Sequence, residues 1–142
     1  MTPTRILPDL QCSLVCEDVR QEANGNFMLI GVITLIRVPQ LPVTALKLCV
    51  FNRWTAGFGQ FVETVKLIAP DQTTVLCKSE MKFALQDVIH NAPTLTVWSP
   101  IKFDTPGAYY VEVLVDDVMK LRFPIVVLVV PPPGAPPGPP KA

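Results

Sequence analysis

Apolar and polar residues alternate with a period of two along most of this chain, and the cleanest stretch covers residues 75 to 87. There Val75, Cys77, Met81, Phe83 and Leu85 face one way, and Leu76, Lys78, Glu80, Lys82 and Gln86 the other, the pattern of a half-buried strand. The pattern recurs three times. Leu95, Val97, Ile101 and Phe103 oppose Thr94, Thr96 and Lys102; Tyr109, Val111, Val113 and Val115 oppose Glu112 and Asp116; Met119, Leu121, Phe123 and Ile125 oppose Lys120 and Arg122. Turn-forming breaks fall between the runs, at Asn24-Gly25, Ala69-Pro70-Asp71, Asp104-Thr105-Pro106-Gly107 and Asp116-Asp117. The runs near 10–20, 26–38, 43–53, 60–69, 74–87, 94–103, 108–116 and 118–130 predict about eight strands, with no convincing helical window. The expected fold class is therefore all-β, an antiparallel immunoglobulin-like β-sandwich, although the Cys…Trp…Cys pattern of true immunoglobulin domains is lacking. Its predicted core holds Leu14, Met81, Phe83, Val97, Phe103, Val111, Val113, Leu121 and Phe123.

Two stretches are apolar on both faces, the run from Phe27 to Ile36 and the end of the last strand from Ile125 to Val130. In the first, Met28, Ile30, Val32 and Ile36 lie opposite Phe27, Leu29, Ile33 and Leu35, and only one face can enter a two-layer core. The other face needs a cover. A second copy of the chain, giving a two-fold homodimer, or another protein would supply it. The competing cover is intramolecular, from the final strand and the segment before residue 10.

Composition changes abruptly after Val130, to PPPGAPPGPPKA, which divides the chain into a sandwich domain at 1–130 and a disordered Pro/Gly-rich tail at 131–142. The 142 residues carry 12 Lys and Arg against 12 Asp and Glu, so no net field draws in nucleic acid or an anionic membrane. The start has neither the basic end nor the apolar run of a signal peptide, which predicts a cytoplasmic location. Cys12, Cys16, Cys49 and Cys77 are then expected to be reduced and packed inside strands. On one strand Cys12 and Cys16 would stand about 13 Å apart, too far to share a zinc ion.

Glu17-Asp18-x-Arg20-x-Glu22 is the densest charged cluster. Neighbours on a strand point to opposite faces, so its carboxylates are expected to support the first hairpin through cross-strand pairs rather than to bind a cation. The run from Cys16 to Val32, with Cys-Glu-Asp-x-Arg-x-Glu leading through Asn24-Gly25 into Leu29-Ile30-Gly31-Val32, resembles the opening of a family of small uncharacterised bacterial β-sandwich proteins, a domain of unknown function. Pro106-Gly107-x-Tyr109 through Asp116 is similar to that family's final hairpin. Asp117 stands where the family has glycine. The resemblance implies no activity.

Asp116-Asp117 reads as a hairpin tip. His90, the only histidine, lies in a predicted loop with no serine or cysteine adjacent in sequence, and phosphate-cradling glycine loops are absent. No catalytic residue, cofactor or metal site is expected, and the chain does not read as an enzyme. Trp54 and Phe58, in a loop opened by Gly57 and Gly59, are candidate recognition residues beside Met28, Ile30, Val32 and Ile36. The function expected is a non-catalytic protein-interaction or assembly module. The alternative is a small-molecule-binding or hydrolytic domain with its site in the loops around His90.

Overall fold

In a computed structural model describing residues 5–130, the alternating runs form eleven strands and, among the described residues, no helix. They are β1 (Asp9–Gln21), β2 (Phe27–Val32), β3 (Leu35–Val38), β4 (Val43–Ala45), β5 (Leu48–Thr55), β6 (Gly59–Ile68), β7 (Val75–Leu85), β8 (Asn91–Trp98), β9 (Ile101–Phe103), β10 (Gly107–Val115) and β11 (Val118–Val129). Eleven replaces the expected eight because three of the predicted runs each divide. The run at 26–38 becomes β2 and β3, that at 43–53 becomes β4 and β5, and that at 94–103 becomes β8 and β9. Pro100, without an N–H, marks the last break. The predicted tail at 131–142 lies outside the described residues.

Two sheets carry the fold. One has the order β2-β1-β5-β8, the other β3-β11-β10-β6-β7, and the short β4 and β9 pair with each other. Most rungs are antiparallel, but β3 joins β11 in parallel, from Leu35↔Val126 to Val38↔Val129. The chain thus changes sheets at Ile33 and Thr34. That explains half of the two-faced apolar run, since its second part joins the final strand edge-to-edge in the other sheet and packs Ile36 and Val38 on the core. The hairpin from β10 to β11 turns on Asp116 (φ 46°) and Asp117 (φ 65°), the two left-handed residues of a type I′ turn.

The inner faces meet in one core. Val15, Val50, Trp54 and Trp98 come from the first sheet, and Phe61, Val65, Val111, Val113 and Val127 from the second. Phe103 meets Tyr109 edge-to-face at 5.0 Å, a favourable ring arrangement. The Tyr109 hydroxyl donates to the Thr105 carbonyl at 2.7 Å. No described helix is long and apolar enough to cross a membrane.

Of the predicted core, Phe103, Val111 and Val113 are buried, and Met81, Phe83 and Phe123 are half-buried. Leu14, Val97 and Leu121 are exposed, and each has a local cause. Val15 pairs with Val50 in the core, which turns Leu14 outward beside Phe51. On β8 the inner face is taken by Thr94, Thr96 and Trp98, all buried, so Val97 faces out at 49% exposure. Trp98 has more apolar surface to hide than Val97, and period two then dictates the rest. Leu121 shares a rung with Val113 but lies close to the turn, where the register shifts between Val113 and Leu114. Leu76, expected outside, packs on the core because a bulge shifts the ladder from Leu67↔Cys77 to Ile68↔Val75.

Candidate functional site

Beyond Cys16, β1 leaves β5 and continues with β2 as a two-stranded ribbon, paired from Cys16↔Val32 to Gln21↔Phe27. The tip closes through Gly25 N–H to the Glu22 carbonyl and Glu22 N–H to the Asn26 carbonyl, with Gly25 in a positive-φ conformation. A straight ribbon would carry Phe27 away from Phe51. Phe51 stands opposite Leu14 and Phe27 opposite Gln21, a separation of roughly 23 Å at about 3.3 Å per residue. Their ring centres are 5.3 Å apart. The ribbon therefore curls back onto the outer face of its own sheet.

Gly31, between the rungs Cys16↔Val32 and Asp18↔Ile30, permits the curl. Its φ is +66°, and a Cβ there would come within 2.7 Å of the Glu17 carboxylate. Only glycine suits both conditions. Beneath the ribbon the Cys49 thiol donates to the Glu17 carbonyl at 4.0 Å. Between ribbon and sheet runs a groove of about 670 Å³ lined by Leu14, Phe27, Leu29, Phe51, Arg53 and Pro93, among others.

The curl gives the two faces of β2 different fates. Phe27 and Leu29 turn half-buried toward the sheet. Met28, Ile30 and Val32 are left 45%, 37% and 48% exposed, at every second position along an edge strand. A charged rim borders them. Opposite Ile30, Asp18 accepts Lys47 Nζ at 2.8 Å and Arg20 Nε at 3.2 Å. Lys47, then Arg20, hold the Asp18 carboxyl below the usual carboxylate range, and Asp18 in turn pushes the Lys47 ammonium up. An apolar centre with a polar rim is the general anatomy of a protein interface.

The other recognition candidates lie elsewhere. Ile36 sits on β3, in the opposite sheet, packed against the core, and so is not part of the β2 surface. Trp54 is 0% exposed. It is a core residue rather than a loop-tip anchor, because β5 continues through it and its indole N–H is used inside. Phe58 is half-buried and bridged through its backbone to Ile6.

The indole of Trp54 leads to a group the sequence reading passed over. Glu63 on β6 is 1% exposed between the sheets. Its Oε2 accepts Trp54 Nε1 at 2.5 Å, Thr94 Oγ1 at 2.5 Å and Asn52 Nδ2 at 3.2 Å. Glu63 Oε1 and Asn52 Oδ1 have no hydrogen-bond donor among the described residues. The available signal was strand parity. Phe61, Glu63, Val65 and Leu67 share one face of β6, and three of the four are core residues.

His90 is exposed, with its backbone N–H on the Asp87 carbonyl at 3.0 Å and its carbonyl receiving the Thr55 hydroxyl at 3.2 Å. The groove reaches its neighbours Asn91 and Pro93, but His90 is not among the residues lining it. Asp116, besides forming the turn, accepts the Val62 N–H at 2.9 Å and pairs with Arg5. Val62 first, and then Arg5, lower its carboxyl. No group of three or more potential metal-ligating side chains occurs among the described residues. Cys16 and Cys49 are buried, whereas Cys12 and Cys77 are only half-buried, and all four are unbridged.

These features define an all-β protein of two facing sheets with a curled ribbon exposing an apolar row. Residues 11–128 match the model of a family of unknown function, DUF6941, and the chain belongs to that family. No curated protein matches it.

Proposed function

We propose that the chain is a non-catalytic assembly module of immunoglobulin-like fold that pairs with a second copy of itself through β2. The exposed row Met28, Ile30 and Val32 on an edge strand carries this reading. The outer edge of β2 has no strand partner among the described residues, so its backbone groups can extend a ladder across a two-fold axis. A chain whose formal net charge is zero meets its own copy without net repulsion. The order β11-β10-β6 in one sheet and β1-β5-β8 in the other supports the immunoglobulin-like assignment. So does the Tyr109 hydroxyl bond to the Thr105 carbonyl, the pattern of a tyrosine corner.

Sedimentation velocity at micromolar concentration tests the proposal. The expected wild type is a dimer, and Ile30→Lys should convert it to a monomer with its circular dichroism and melting curve retained. A wild-type monomer across that range would remove the homodimer.

A further inference from the structure

Cys16 and Cys49 stand directly opposite each other in the β1–β5 ladder, in the row Val32, Cys16, Cys49, Val97 that crosses the first sheet. Directly opposed residues in an antiparallel pair have Cα atoms about 4.5 or 5.5 Å apart, according to the type of rung. Both spacings lie in the range of about 4.4–6.8 Å that a disulfide spans. The other thiols have no such partner. Cys12 is opposite Arg53, and Cys77, on β7 in the second sheet, is opposite Leu67. The ladder thus singles out one pair from four cysteines.

We propose that Cys16 and Cys49 are a redox modification site, closing a reversible cross-strand disulfide by exchange with a small-molecule disulfide such as oxidised glutathione. One cysteine sulfur, after losing its proton, attacks a sulfur of the reagent, expels one reduced thiol and leaves a mixed disulfide on the protein. The second cysteine sulfur, likewise deprotonated, attacks that protein sulfur and expels the other reduced thiol. The protein loses two electrons and two protons, and the reagent gains them. Opposed strand residues have Cβ atoms about 4.5–5.5 Å apart, against about 3.5–4.5 Å in a disulfide. Closure need bring the β-carbons only about 1 Å closer, a small adjustment beside the alignment that the ladder already supplies.

The surroundings set the rate. Cys16 is 0% and Cys49 1% exposed, under the curl of the ribbon. Burial pushes both thiols up; Cys49 adds to the effect at Cys16, while at Cys49 Lys47 partly offsets it and Asp18 adds to it. Exchange therefore follows local opening of the ribbon, which can lift without loss of the core. The proposal does not rest on association through β2.

The test uses the full chain carrying Cys12→Ser, so that the tryptic peptide ending at Arg20 holds Cys16 alone. It is equilibrated at neutral pH in graded ratios of oxidised to reduced glutathione, quenched in acid, alkylated in denaturant and mapped by mass spectrometry. The expected product joins the Cys16 peptide to the Cys49 peptide with the loss of two hydrogens, leaves Cys77 alkylated, and reverts on reduction. In parallel, the denatured chain should need a ratio about tenfold or more oxidising to form the same bond, because the ladder no longer holds the thiols together. Free or separately glutathionylated Cys16 and Cys49 in the most oxidising buffer would overturn the proposal, as would a bond to Cys77 or equal ratios for native and denatured chains.

Discussion

Glu63 and the row Met28, Ile30 and Val32 break the same packing rule in opposite directions, a carboxyl group inside the core and apolar side chains in water. The difference lies in what answers each violation. Glu63 is met by three donors from the facing sheet, Trp54, Thr94 and Asn52, so its cost of burial is offset within the chain. Nothing in the described chain covers the β2 row. A violation answered internally belongs to the fold, whereas the one left open is what the proposed second copy would cover. The first ties the two sheets together across the core; the second lies on a ribbon curled over the outer face of one of them.

If Glu63 is a fold element, its removal should have the largest effect on stability. Glu63→Ala strands three buried donors, each costing about 1–3 kcal/mol when left unmade. The desolvation of the carboxyl recovered in the same change offsets part of that. A net loss of roughly 3–5 kcal/mol is expected in urea denaturation. Glu63→Gln should cost much less, because its amide keeps an acceptor and can offer a donor to the orphan Asn52 Oδ1. Equal losses for the two variants would show that side-chain volume, not hydrogen bonding, is what matters there.

A smaller effect is expected from Trp54→Phe, which keeps most of the ring and removes the N–H to Glu63. Its cost should be about 1–2 kcal/mol, and in the Glu63→Gln background it should not simply add, since the two side chains share one network. Strict additivity in a double-mutant cycle would break the view of these residues as a unit.

Much of this was legible before the structure, and the failures have physical causes. Strand existence followed from period two, and the deep faces of β6, β10 and β11 follow their alternation. Parity alone, however, could not rank Trp98 and Thr94 over Leu95 and Val97 on β8. That choice rests on the bulk of Trp98 and on Glu63, which lies 31 residues from its hydrogen-bond partner Thr94. The run at 27–36 looked like one two-faced strand because sequence does not show where a chain changes sheets. Met28, Ile30 and Val32 emerged on one exposed row as expected, while Ile36 did not. Lys47 was invisible as a partner of Asp18, since sequence does not show the register of β1 against β5 that, carried two residues past Cys16↔Cys49, sets residue 47 opposite residue 18.

The smallest effect should come from a carboxylate that has as many donors as Glu63 but no burial. Asp71, at the turn before β7, accepts the Thr73 and Thr74 N–H groups at 2.9 and 2.8 Å and the Thr74 hydroxyl at 2.5 Å. These donors, the Thr74 hydroxyl foremost, hold its carboxyl at about 2, against about 3.9 in an unfolded chain. Because the folded value is the lower one, the stabilisation is fully present above about pH 4 and is lost as pH falls toward about 2. The melting temperature of Asp71→Ala should lie slightly below that of the wild type near neutrality, and the gap should close over that acid window. Glu63→Ala should show the larger deficit near neutrality, because it leaves buried donors without an acceptor. A gap for Asp71→Ala as large as that for Glu63→Ala would mean that donor number outweighs burial, and the contrast between the core carboxyl and the open surface would have to be drawn differently.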